Sequence, residues 1–169
     1  MRKYVVWFAM VVFAALLETT LWEKLRLFGV LPDMMVLLVV YFALREGEEW
    51  AMFTAVLGGL FQDVAGDTLV GHHILGLAIV GYIVGRVSTR LVTEHPVVKV
   101  GLVFLSGLCG GLFFLGIEYV LKPTIPIVSL ILAEVIPAAF YTSLLTPVVF
   151  GLVERIVGRF WTAPVIVTE

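Results

Sequence analysis

Charge is scarce in this chain. Of 169 residues only 14% are Asp, Glu, Lys or Arg, against 61% hydrophobic, and the mean hydropathy is +1.09. A soluble domain carries about a quarter charged residues, so too little polar material exists here to coat a water-facing surface. A net charge of −2 leaves no basic stripe for nucleic acid. The single cysteine, Cys109, cannot form an intrachain disulfide; inside an apolar run it reads as a small buried hydrophobe. No long hydrophilic segment marks a separate soluble domain, and no internal repeat is visible. No Ser, Cys or Thr stands beside an evident oriented base, so no enzyme and no cofactor is expected.

What is present is a series of apolar runs. A transmembrane helix needs roughly 20 mostly apolar residues, and six segments qualify or nearly so: 4–22, 33–44, 49–65, 73–92, 98–121 and 127–157. Arg2 and Lys3 precede the first, but "LETTLWEKL" is a poor processing site, so it reads as a retained signal-anchor helix. The second is short, about 18 Å at helical rise, and is expected to gain length at either end. Pro96, Pro123 and Pro126 punctuate the last three, while Pro137 and Pro147 invite kinks in the sixth. The expected fold is therefore an all-α integral membrane protein with six transmembrane helices, a single polytopic membrane domain over residues 1–169.

Six spans put both termini on one side. With the termini cytoplasmic, the inner basic residues are Arg2, Lys3, Arg45, Arg86, Arg90, Lys99, Arg155 and Arg159, and the outer ones Lys24, Arg26 and Lys122. Eight against three fits the positive-inside rule. Trp7 and Trp22, about 22 Å apart on a helix, suggest an aromatic belt. In this topology Glu18, Asp63, Glu118 and Glu134 all fall in the outer half of the membrane, with Asp67 in the outer loop. Such acids should face protein or water, lose their charge, or pair with a cation. Their crowding on one side argues against an ion path, which would have to cross the bilayer. A polar, acid-rich patch opening outward is expected.

The stretch "GLFQDVAGDTLVGHHIL" concentrates the polar residues. A metal site of Asp63, Asp67, His72 and His73 is disfavoured, since adjacent histidines point different ways and the zinc-helix pattern is missing. A rigid hairpin fits better: Asp63 ends a helix, Gly66 supplies a positive φ for the turn, Asp67 caps or braces the loop, and Gly71 admits the next helix. Ala51, Ala55, Gly59 and Asp63 recur every four residues on one helix face. Gly81 with Gly85, and Gly107 with Gly111, repeat that spacing. Such faces let backbones approach, within the chain or against a partner's helix.

Two runs, "PDMMVLLVVYFALREG" and "GGLFQDVAGDTLVGHHILGLAIVGYIVG", resemble the rod shape-determining MreD family in order and spacing. "GHH" departs from the "GxN"-like run associated with that family, so no role carries over to the histidines. The resemblance implies a non-enzymatic scaffold of the bacterial cell-elongation machinery in the inner (cytoplasmic) membrane, acting in peptidoglycan synthesis. It implies MreC as partner, within a larger complex of MreB, RodA and a penicillin-binding transpeptidase. It also implies a fold similar to the S component of energy-coupling-factor transporters. The residues expected to shape the partner-gripping surface are Glu18, Pro32, Asp33, Gly59, Asp63, Gly66, Asp67, Gly71, Glu118 and Glu134. Asp63→Asn is expected to spare the fold and Asp63→Leu to weaken MreC capture. The alternative is a vitamin-binding S component. Its Ala-x-x-x-Ala coupling pattern is missing from the first span, and Ala51 and Ala55 show the spacing only in the third.

Overall fold

The computed structural model describes residues 2–20, 30–66, 71–88 and 95–160. Among these stand six helices: α1 (Arg2–Thr20), α2 (Met34–Glu46), α3 (Glu48–Ala65), α4 (His72–Ser88), α5 (Pro96–Leu121) and α6 (Ile127–Phe160). Strands are missing from the described residues. Helices α1, α5 and α6 are long and apolar enough to cross a membrane. The other three fall short for separate reasons. Helix α2 has 13 residues, α4 has 17, and α3 carries Glu48, Glu49 and Asp63 within its 18.

Five helices surround the sixth. α1 packs on α3, α3 on α4, α4 on α5, α5 on α6 and α6 back on α1, while α2 touches all five. The sequence of α2 explains its central place. Met35 through Ala43 contains no charged residue and only one hydroxyl, on Tyr41, and all nine residues are buried. A helix that is apolar all round belongs inside a larger assembly. The expected lengthening of this segment happens only at its C-terminal end, by two residues. At the other end Pro32 and the Asp33 cap stop the helix, with Asp33 accepting the Val36 N–H at 2.9 Å.

In lipid, burying apolar surface gains little over leaving it in the acyl chains, so association leans on close van der Waals contact. The small-residue faces supply that contact inside the chain. A Cβ on Gly59 would stand 2.6 Å from the Ile74 backbone, and one on Gly85 would stand 2.5 Å from Glu48 Cα. Both mark the α3–α4 seam. Likewise Gly107 approaches Ala139, and Gly111 approaches Val135, across the α5–α6 seam. These faces are occupied within the fold, the first of the two uses expected for them.

Two corrections concern turns and burial. Gly66 has φ −88°, an ordinary helix-end conformation; its N–H simply closes onto the Gln62 carbonyl at 2.8 Å. The positive φ values belong to Gly47 (92°), between α2 and α3, and to Gly71 (113°), at the entry to α4. Cys109 is exposed on α5, because the Gly107–Gly111 face turns inward and carries it outward.

Pro137 does disturb α6, as expected. Residues Ile131–Val135 just before it form a π-helical turn. Proline lacks an N–H and crowds the preceding turn, and a widened turn accommodates both. Pro147 lies within the regular part of the same helix. Pro96 does not break α5 but starts it, behind His95, whose ring accepts the Val97 N–H at 3.4 Å.

One end of the bundle carries paired charges. Lys3 meets Glu46 at 3.2 Å, Arg45 meets Glu46 and Glu154 at 3.6 Å, and Arg86 meets Glu48 at 3.7 Å. Trp50 joins this layer, stacked on Tyr4 and covered by the Lys3 ammonium. Trp7 is more than a belt residue. Its indole N–H donates to the buried Thr54 hydroxyl at 2.9 Å, tying α1 to α3. Trp22 lies outside the described residues.

Candidate functional site

At the opposite end lies a polar layer built from four helices. Gln62 on α3 donates to Glu18 on α1 at 2.9 Å and to Asp33, the α2 cap, at 3.2 Å. The Asp33 N–H donates to the Thr142 hydroxyl on α6 at 2.9 Å. Residue counting from the ionic end gives consistent heights. Glu18 stands about 22 Å above Lys3, Asp33 about 20 Å above Glu46, Gln62 about 21 Å above Glu48 and Thr142 about 18 Å above Glu154. With the ionic end at one face of a hydrocarbon core about 30 Å thick, this layer lies some two-thirds of the way across. A short central helix explains how polar groups reach that depth: α2 ends early, and its cap opens a hole that side chains from its neighbours fill.

Asp63, on the same end, is almost completely buried. Its Oδ2 accepts the Gly71 N–H at 2.7 Å. Its Oδ1 accepts the His73 N–H at 2.9 Å and faces His73 Nδ1 at the same distance. An α3 carboxylate thus serves as N-terminal cap for α4, satisfying N–H groups that the first turn of a helix leaves open and favouring the positive end of its dipole. An ionised Asp63 makes Nδ1 the nitrogen that carries the ring hydrogen. Three donors also occupy the carboxylate. Among the described residues, no group of three or more His, Cys, Asp or Glu is placed to hold a metal. Asp67 lies outside the described residues, so the brace assigned to it is not seen.

Two cavities flank the layer, and Asp33 lines both. One, of about 410 Å³, lies between α4, α5 and α6 and is bordered by His72, Phe114, Glu118, Glu134 and Thr142. Glu134 is exposed at its rim, and Glu118 is half-buried. Phe114 stands against both histidine rings, with centroids 4.5 Å from His73 and 5.7 Å from His72. The other, of about 740 Å³, lies between α1, α3 and α6, lined by Glu18, Pro32, Phe61, Gln62, Gly66 and His73 among others.

The sequence-selected residues therefore divide. Glu18, Pro32, Asp33, Asp63, Gly66, Glu118 and Glu134 gather at one end, with Gly71 bound to Asp63 and Gly59 buried in the α3–α4 seam just beneath. Sequence reasoning missed Gln62, His73 and Thr142. Gln62 had a signal, being an amide beside an acid in an apolar helix. For His73 and Thr142 the partner is set by the register between helices, which no periodicity reveals.

A protein-family model described as rod shape-determining protein MreD matches residues 1–156 of the chain. No curated protein matches it, and neither does any solved structure. With over nine-tenths of its length covered by that model, and with helices able to cross a bilayer, the chain belongs to the MreD family of shape-determining membrane proteins and has a role in rod shape determination.

Proposed function

We propose that the chain is a non-enzymatic scaffold of the cell-elongation machinery in the bacterial inner membrane, one polytopic unit over residues 1–169. All six helices lie in the membrane and both termini are cytoplasmic. The polar end then faces outward and receives MreC; MreB, RodA and a penicillin-binding transpeptidase belong to the wider complex. The observation that carries this reading is the cleft between α4, α5 and α6. It is open at the rim, acidic through Glu118 and Glu134, and floored by the fixed Asp33 cap. Such a surface suits a membrane-proximal partner segment with basic and apolar residues, since charge complementarity sets orientation and apolar contact supplies area.

The test uses rim residues and spares the buried ones. Asp63→Leu confuses docking with folding, because Asp63 caps α4. Glu134→Lys and Glu118→Lys should lower recovery of co-expressed MreC several-fold while leaving thermal unfolding in detergent unchanged. Unchanged recovery in both variants rejects the cleft as the grip.

A second reading draws on the same cavity. Its volume falls in the usual range for small-ligand pockets, roughly 300–1,000 Å³, and polar groups converge on it, as a vitamin-binding S component requires. Native mass spectrometry separates the two. A retained small molecule with ATPase partners supports transport, and retained MreC supports the scaffold.

A further inference from the structure

The polar layer contains an unfinished hydrogen-bond pattern, independent of what docks at the cleft. Gln62 donates one N–H to Glu18 Oε1 and the other to Asp33 Oδ1. Both hydrogens go to carboxylates, which fixes the amide's orientation and leaves its Oε1 as an acceptor. Among the described residues that atom has no partner, and neither has Glu18 Oε2; both are shut off from solvent. Each buried, unsatisfied acceptor is costly, and here two occur on side chains already bonded to each other.

A carboxylic acid and a primary amide pair through two parallel hydrogen bonds. The amide N–H donates to the acid carbonyl, and the acid O–H donates to the amide carbonyl. The first of these exists here at 2.9 Å. The two orphaned oxygens are the atoms of the second. We infer that Glu18 is a proton-binding site: it is held as the neutral acid, and its Oε2–H donates to Gln62 Oε1, closing a clasp between α1 and α3 over the Asp33 cap of α2. One hydrogen satisfies both orphaned atoms.

A bound cation fits less well. The cavity of about 740 Å³ touches both residues, but the two orphaned oxygens are closed to a water-sized probe, so an ammonium group in the cavity does not reach them. A proton does. Among the described residues, the groups facing Glu18 favour the neutral form. Asp33 on α2 sits one amide away, and α3 offers neutral Gln62. Helix α6 contributes Ala138 to the cavity, and α4 contributes His73, whose ring is already turned to Asp63. Among the described residues, neither Lys nor Arg lines the cavity. The clasp is complete while Glu18 holds its proton, and it opens as alkali removes that proton, leaving a carboxylate beside Asp33.

Infrared spectroscopy of the protein in lipid, with Glu18→Gln as the reference, tests this. The wild type at neutral pH should show a protonated-carboxyl C=O band that Glu18→Gln lacks and that alkali abolishes. Glu18→Gln, an amide able to form the same pair of bonds, should unfold within a few degrees of wild type, whereas Glu18→Ala should not. If Glu18→Gln folds poorly, Gln62→Met serves instead: the band should persist but shift, since the acid loses its amide partner. Difference spectra with no Glu18-dependent acid band overturn the inference, as does a cation retained by the wild type and lost from Glu18→Gln.

Discussion

The two ends of the bundle handle charge in opposite ways. At the Glu46 end, acids meet bases: Lys3, Arg45 and Arg86 each find a carboxylate, and most of these side chains are partly or largely exposed. At the Asp33 end, the carboxyl groups of Glu18, Asp33 and Asp63 accept from amide, imidazole and backbone N–H groups, while the Asp33 N–H donates to the Thr142 hydroxyl. The contrast teaches that membrane depth selects the partner. Near an interface water screens a long, mobile ion pair, which then contributes little. About 20 Å further along each helix a carboxylate needs short, fixed donors. Such groups are destroyed by single substitutions, and the ion pairs are not.

The largest expected effect follows directly. Asp63→Leu removes a carboxylate from two backbone N–H groups and a histidine and should cost on the order of 3 kcal/mol or more, read as a fall in thermal midpoint in detergent. Asp63→Asn is not innocuous either. Its amide keeps one acceptor oxygen and sets an NH2 against the other N–H donor, so it should lose roughly half that amount.

Next come the seams, which should behave alike at both ends. Gly59→Ala near the polar end and Gly85→Ala near the ionic end each drive a methyl into backbone, at a cost of about 1–3 kcal/mol. Gly116→Ala meets nothing within 4 Å and should be neutral or slightly stabilising, by up to about 1 kcal/mol. A large loss at Gly116 would show that helix packing had been misassigned. The smallest effect belongs to the ionic end. Glu154→Gln breaks a 3.6 Å pair in which Glu154 is 63% exposed and should change stability by less than about 0.5 kcal/mol, with salt reducing even that.

Much of this was legible in the sequence, for physical reasons that differ by element. Hydropathy located the helices to within a few residues, because each is an apolar run bounded by proline, glycine or charge. The unbroken apolar run from Met35 to Ala43 carries the signal for a fully enclosed helix. The clustering of acids at one end followed from spacing along antiparallel helices. Which groups meet those acids did not follow. Glu18 with Gln62, Asp33 with Thr142 and Asp63 with His73 are separated by 44, 109 and 10 residues, and their pairing depends on how helices slide and rotate against one another. The turn failed for a local reason. Gly66 looked like the residue that needed freedom, yet its backbone is ordinary and Gly71 carries the unusual φ.

The most direct test of the two-ended arrangement is topological. In a Cys109→Ala background, Ser129→Cys places a thiol at an exposed site near the start of α6, on the acidic end. A membrane-impermeant maleimide should label it in intact spheroplasts, placing the acidic end outside, where MreC would be received. Labelling that appears only after the membrane is opened would put that end in the cytosol and contradict the scaffold's proposed orientation.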